Sequence, residues 1–291
     1  MNAQNRLRLS QDQIDQFRRD GVLVVENAVS PDQLAALRSQ FDAWVEESKT
    51  HDQGYGETVD GRPRFDLEHG HSAEKPALRR VNSPAEASAA YDEAMRDSAM
   101  TDCIADLIGP DVKFHHSKIN SKLPGARTEV KYHQDFPFTP HSNDDVITAL
   151  LMVDEVTEQN GPLEVVPGSH KGPIHGLWHD GKFTGAVAPE VERGAIAGAV
   201  KCTGPAGAVC LMHTRLLHGS APNLSDQPRT LFICVYSADD AVPLSPNPVP
   251  STQEGQIVRG APSGHIRSID YHVERPELPK QASFFFQQEQ G

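Results

Sequence analysis

VKFHHSKINSKLPG (112–125), VITALLMVDEV (146–156), GPLEVVPGSH (161–170), GAVCLMHTRLLHG (207–219) and RTLFICVYSA (229–238) are the stretches whose reading decides the fold. Each is short, apolar and bounded by glycine, proline or asparagine, as strands that turn back on themselves are. Their regular spacing predicts an antiparallel sandwich or barrel. A jelly roll, the cupin-like double-stranded β-helix, fits best because its two sheets enclose an interior wide enough for a ligand.

Upstream, residues 1–110 read as mainly helical. Ser10 caps a helix over QDQIDQFRRD, with Ile14 and Phe17 on one face, and Gly21 ends it. VLVVENAV (22–29) has the β-branched character of a buried strand, and Ser30-Pro31 opens a second helix carrying Leu34, Leu37, Phe41 and Trp44. A third helical region covers about 84–108 and stops at Gly109-Pro110. Residues 50–82 are polar and glycine-bearing and predict a long functional loop. Downstream of the strands, Pro243, Pro246, Pro248, Pro250 and Pro262 predict a loop-rich extension over 241–291. No composition break marks a linker, so 1–291 is expected to form one mainly β domain. Within it, a helical N-terminal segment covers 1–110, the jelly-roll core 111–240 and the extension 241–291.

Composition narrows the function classes. The formal charge of −13 opposes broad binding to nucleic acid or anionic lipid. No apolar run reaches the ~18 residues of a membrane span, and the opening MNAQNRLRLSQDQ lacks the apolar core of a secretory signal, so a cytoplasmic setting is expected. Cys103, Cys202, Cys210 and Cys234 have no C-x-x-C spacing and read as buried thiols.

The chemistry-bearing residues begin in KYHQDF (131–136). On a strand His133 and Asp135 point the same way and Gln134 the other. His218, 83 residues after Asp135, is the best third ligand. Two imidazoles and one carboxylate leave open positions on a metal, which suits iron(II) activating dioxygen better than closed structural zinc. Arg229, eleven residues after His218, lies on an otherwise apolar strand and needs a carboxylate partner. That partner is either the far end of a dicarboxylic co-substrate or an internal Asp226 or Asp239. His170 and His213 read as structural, and His115-His116 are expected on opposite sheet faces, with at most one reaching the interior.

The ordered set SQDQIDQFRRDGVLVVENAVSPDQLAALR (10–38), RRVNSP (79–84), KLPG (122–125), YHQDF (132–136), QNGPLEVVPGSHKG (159–172) and LLHGSAPNLSDQPR (216–229) resembles the phytanoyl-CoA dioxygenase family over nearly the whole chain. Iron(II), 2-oxoglutarate and O2 are the cofactor and co-substrates the resemblance implies. It makes His133, Asp135 and His218 the metal ligands and sets Arg229 on the distal carboxylate of 2-oxoglutarate, with Ser220, Asn120 and Lys118 around that co-substrate. Tyr132 stands where many members have Trp, and Leu231 where many have Ser. Halogenases of the wider class lack the carboxylate ligand, so Asp135 favours hydroxylation; desaturation, cyclisation and endoperoxidation use the same ligands. A cupin-like metalloenzyme without 2-oxoglutarate and a non-catalytic jelly roll are the other classes considered. The expected substrate is a small molecule, a metabolite or natural-product scaffold. Gln134, Phe136, Phe138 and Phe65 are candidate contacts, with Arg80, Arg267 and Arg79 candidates for an anionic group.

Overall fold

Ser10 opens helix α1 (Gln11–Asp20) with a reciprocal cap: Gln13 N donates to Ser10 Oγ and Ser10 N donates to Gln13 Oε1. Ser30 and Gln33 repeat the device at α2 (Pro31–Ser48), each cap contributing about 1 kcal/mol. Gly21 ends α1 at φ +76°, and the His170 ring lies where a Cβ would stand, so glycine is required twice over. β1 (Val22–Val25) lies between the two helices in the chain. The structure is a computed structural model that describes residues 8–124 and 128–278. The ends of the expected 1–110 and 241–291 segments, and Gly125 of KLPG, lie outside the described residues.

The polar stretch after α2 is not one long loop. It folds as a meander of β2 (Tyr55–Glu57), β3 (Pro63–Leu67) and β4 (Leu78–Asn82). Charge hides these strands in the sequence: Arg79 Nε meets Asp66 Oδ2 at 2.8 Å with both side chains 6% exposed, so two ions can lie inside a sheet. α3 (Pro84–Ala87), α4 (Ala89–Arg96) and α5 (Ala99–Ile108) follow. Among the described residues the N-terminal third thus combines five helices with four short strands, of which the β2–β4 meander was not expected.

The expected strands then appear as β5 (Val112–Lys122), β6 (Val130–His133), β7 (Val146–Met152) and β8 (Leu163–Val165). After the ribbon of β9 (Trp178–His179) and β10 (Lys182–Phe183) comes α6 (Pro189–Gly198). β11 (Val200–Cys202), β12 (Val209–His213), β13 (His218–Ser220), β14 (Arg229–Ala238) and β15 (Ile257–Arg259) complete the order. The large sheet runs β1-β12-β7-β14-β5-β4-β3-β2, with β15 also on β5; the small sheet runs β11-β8-β13-β6. This is the double-stranded β-helix, extended at one edge by the N-terminal meander. The four cysteines are buried and free. Among the described residues no helix is long and apolar enough to cross a membrane.

β14 is buried along its whole length, and alternation divides its side chains. Phe232, Cys234 and Tyr236 join the core under the helices, while Leu231 and Ile233 join the cluster between the sheets. Burying Phe232 alone contributes roughly 3 kcal/mol. The same parity sends Arg229 toward the interior. On β5 it selects Lys118, Asn120 and Lys122, which all line the inner cavity.

One irregularity alters the expected histidine geometry. The β14–β5 register passes from Val235↔His116 to Tyr236↔Phe114, so His115 is an extra residue in a bulge. The two rings consequently do not diverge: their Nδ1 atoms are 2.7 Å apart, and the His141 ring lies 4.9 Å from that of His115. Burial drives His115 down to about 3 and His141 to about 4, against about 6.5 for a free imidazole. Both are neutral when folded, so the unfolded chain binds more protons between those values and pH 6.5. Their stabilisation is complete above about pH 6.5 and is lost as pH falls toward 4, at up to ~1.4 kcal/mol per pH unit for each ring. Denaturant unfolding at pH 7.5 and pH 5 checks this. The midpoint should drop at pH 5, and by less in His141→Asn; equal drops in both proteins would contradict the assignment.

Candidate active site

β6 ends at His133 and β13 begins at His218, and these two residues are direct partners in the small sheet. Their rings therefore arrive side by side, with centroids 4.2 Å apart. Each Nδ1 meets a main-chain carbonyl two residues back, Lys131 O at 2.8 Å and Leu216 O at 2.9 Å. A carbonyl only accepts, so both Nδ1 atoms carry the proton and both Nε2 lone pairs face inward. Burial, and then His133, lower His218 to about 4, which keeps it neutral and able to ligate at physiological pH.

Asp135 joins them by a route the strand argument did not foresee. The strand has already ended, and Asp135 has helical backbone angles at the head of the short 3-10 turn Phe136–Phe138. The turn swings its carboxylate back so that Oδ1 lies 3.6 Å from His133 Nε2 and 3.7 Å from His218 Nε2. Thr148 Oγ1, on β7, donates to Oδ2 at 2.6 Å and so decides which oxygen faces the imidazoles. Burial alone would raise this carboxyl, but His218, His133 and Lys118 hold it well below the usual range. The three donor atoms lie within 4.8 Å of one another, a set that fits a divalent cation with positions left open. Removing the Thr148 hydroxyl should loosen that set: Thr148→Val is expected to weaken iron(II) binding about 10- to 100-fold with the fold intact. An anaerobic iron titration checks it, and unchanged affinity would assign Thr148 to packing only.

These donors stand where two cavities meet. The first, of about 670 Å³ with its mouth included, runs between the sheets past Asn120, Thr148, Leu150 and Leu231 to Ser220 and Arg229. Arg229 is 3% exposed and its Nε donates to Gly161 O at 2.9 Å. Burial lowers it to about 10, so it remains a cation near neutral pH. Neither internal alternative partner is used: Asp226 accepts from the Gln227 side chain, and Asp239 pairs with Lys113. No carboxylate forms an ion pair with Arg229 among the described residues.

The model of the phytanoyl-CoA dioxygenase family matches residues 17–231, a span that holds all three donors and Arg229. The chain belongs to that family. It is accordingly an iron- and 2-oxoglutarate-dependent oxygenase. A probable alpha-ketoglutarate-dependent hypophosphite dioxygenase of Stutzerimonas stutzeri is 38% identical over 173 residues, covering 57% of this chain and 59% of that protein. The match therefore spans less than two thirds of that relative. The L-proline trans-4-hydroxylase of Streptomyces griseoviridis is 28% identical over 79% of this chain and 87% of its own. An ectoine dioxygenase of Sphingopyxis alaskensis is 30% identical over 76% of this chain and 74% of its own. In fold, the crystal structure of EctD from S. alaskensis with bound Fe superposes with a TM-score of 0.66 at 24% identity, covering 96% of this chain and 92% of that one. The carbocyclase SnoK from nogalamycin biosynthesis superposes with a TM-score of 0.62 at 20% identity over 87% and 94%.

The motifs that signal the phytanoyl-CoA dioxygenase family left one buried cation unnoticed. Lys122, the first residue of KLPG, is the cross-strand partner of Arg229 and is 4% exposed. Its Nζ donates to Ser220 Oγ at 2.8 Å and to Ala221 O, all neutral acceptors. Burial, and then Arg229, push its pKa well below the ordinary lysine value, as expected for two basic side chains brought together in a buried space. The signal was present as period two, Lys118-Asn120-Lys122 on one strand face. Asn120 Oδ1 has no hydrogen-bond partner among the described residues of this cavity.

The second cavity, of about 540 Å³ with its mouth included, shares Lys118, His133 and Asp135 with the first and adds Arg80, Phe138, Arg62 and His116. Arg80 and Phe138 thus lie where substrate contacts were expected, and Arg79 lines the first cavity. Four expected contacts lie elsewhere. Gln134 is fully buried and ties loops together, donating to Arg215 O and Pro173 O and accepting from His175 N. Phe136 packs edge-on against Tyr271, and Phe65 stacks with Tyr55 and meets Trp44 edge-on under the helices. Arg267 is held by Asp145, Asp240 and Asn143, which pins the tail to the body. His170 and His213 pack on each other, 5.1 Å between centroids, away from the donor set.

Proposed function

We propose that this oxygenase hydroxylates a C–H bond of a small metabolite, with iron(II) held by His133 Nε2, Asp135 Oδ1 and His218 Nε2. The observation that carries the reading is the convergence of these three donors on a cavity that ends at Arg229. Bound there, iron(II) and 2-oxoglutarate supply the oxidation: the co-substrate becomes succinate and CO2, and one atom of O2 enters the substrate.

The remaining work belongs to the chain. Arg229 matches the distal carboxylate with its planar fork, and Lys122 adds a second charge beside it. Ser220 Oγ already accepts from Lys122, which leaves its own hydrogen to be donated to the same carboxylate. Leu150, Leu231 and Ile233 make the co-substrate wall apolar and keep water from it. Thr148 and the carbonyls of Lys131 and Leu216 fix the ligands before the metal arrives. The relatives named for hypophosphite, L-proline and ectoine support a small-molecule substrate. Four buried free thiols suit a reducing, cytoplasmic setting.

The test is a small-metabolite panel scored by iron-dependent succinate release and by mass analysis of the substrate. A stimulated release with a gain of one oxygen is expected. Stimulated release with loss of two hydrogens would replace hydroxylation by desaturation or ring closure, and no iron-dependent release would overturn the reading.

A further inference from the structure

Residues 261–278 form no helix or strand, yet specific bonds lay them against the body. The Arg267 side chain is held by Asp145 and Asp240, and its main chain is bonded as well. Arg267 N donates to Asp240 O at 3.0 Å, while Arg267 O accepts from Ser142 Oγ at 2.7 Å and from Asn143 Nδ2 at 3.1 Å. Ile269 N donates to Ser142 O at 2.9 Å, and Tyr271 Oη donates to His141 O. Arg267, Ile269 and Tyr271 therefore lace one irregular segment of the body, residues 141–145. Its other edge is held by the chain after β14, through Ser142 N to Val242 O at 2.8 Å.

That segment connects the two residues that set the carboxylate ligand. Asp135 lies before it and Thr148 after it, and Thr148 Oγ1 donates to Asp135 Oδ2 at 2.6 Å. The bond closes a loop of chain over 135–148, and the tail is fastened along the middle of that loop. The tail also reaches the turn that Asp135 heads. The Tyr271 ring meets Phe136 edge-on, with 5.1 Å between centroids. Farther along, Arg275 O accepts from Trp178 Nε1 at 3.1 Å. Trp178 packs edge-on against Phe183, and Phe183 edge-on against Phe138. Both ends of the 136–138 turn thus lead to the tail, one directly and one through the β9–β10 ribbon.

We propose that the C-terminal tail is a clasp for the carboxylate ligand, with Tyr271 as the positioning residue that sets Asp135 relative to His133 and His218. The proposal rests on the iron site proposed for these donors and adds a coupling to it. Docking the tail fixes the donor set, so bound iron in turn holds the tail down. By linkage the two effects are equal in size.

Two readouts on the whole chain, neither of them turnover, test the coupling from its two ends. Iron(II) affinity, from anaerobic titration against a competing chelator, should fall about tenfold in Tyr271→Ala and stay within about threefold in Tyr271→Phe, which keeps the ring on Phe136. Trypsin reads the reverse direction. It cleaves after Arg267 only once the ion pairs with Asp145 and Asp240 have let go, so cleavage at Arg267–Ser268, followed by intact mass, reports release of the tail. Iron(II) should slow this cleavage about tenfold in the unaltered protein and not at all in Asp135→Ala. The tryptic result stands even if Tyr271→Ala misfolds. A tyrosine that only packs would lower the melting temperature and leave iron affinity alone. Unchanged iron affinity in Tyr271→Ala, cleavage that iron does not slow, or equal slowing in Asp135→Ala would overturn the proposal. Failure of the unaltered protein to bind iron at all would instead strike the iron site itself.

Discussion

Asp135→Ala is expected to remove substrate-stimulated succinate release by at least a factor of about 1,000, roughly 4 kcal/mol of barrier. Asp135 is the only carboxylate in the donor set, and its Oδ1 lies within 3.7 Å of both imidazole Nε2 atoms. Without it, two neutral imidazoles must hold a divalent cation with no compensating charge, in a cavity that also contains Lys118. Iron should be lost along with turnover, and secondary structure should be kept because the turn at Phe136–Phe138 is held by main-chain bonds, Phe136 N to Thr214 O among them. Iron content by metal analysis and succinate release on the same sample check both outcomes. Full activity in the purified variant would remove Asp135 from the metal site.

Arg229→Ala is expected to raise the KM for 2-oxoglutarate about 30- to 300-fold, roughly 2–3.4 kcal/mol, with a smaller change in kcat at saturation. Truncation leaves Lys122 as the single cation for the distal carboxylate. Lys122→Met should raise the same KM less, about tenfold, because it also ends the repulsion between Lys122 and Arg229. That repulsion gives the two lysine effects opposite signs. Co-substrate affinity should fall while thermal stability holds or rises, since a buried cation has been replaced by an apolar side chain of similar length. Steady-state kinetics and thermal unfolding separate the effects. An unchanged KM in Lys122→Met, or a large loss of stability, would make Lys122 a structural residue.

How far the sequence revealed this architecture follows from where charge and chain direction agree with simple periodicity. The core strands were legible because β7 and β14 carry long apolar runs between turn residues. The meander β2–β4 was not, because LRRVN and PRFDL carry ions whose mutual neutralisation only tertiary structure supplies. His133, Asp135, His218 and Arg229 were named from the sequence and line one cavity, yet the strand argument for Asp135 was wrong in detail: a turn, not alternation, brings it to the imidazoles. Lys122 was passed over although it opens the KLPG motif, because the resemblance assigns Asn120 and Lys118 to the co-substrate and only the register shows Lys122 opposite Arg229. Gln134, Phe136, Phe65 and Arg267 were candidates by proximity in sequence or by charge. Packing assigns each to holding loops, core or tail.

The convergence of three donors beside a cavity for 2-oxoglutarate is tested most directly by an anaerobic titration of apoprotein with iron(II), followed by 2-oxoglutarate, read by visible absorption. One equivalent of iron should bind, and the co-substrate should then produce a visible charge-transfer band that is absent in His218→Ala and needs far more 2-oxoglutarate in Arg229→Ala. A band of full intensity in His218→Ala, or iron bound without any response to 2-oxoglutarate in the unaltered protein, would contradict the account.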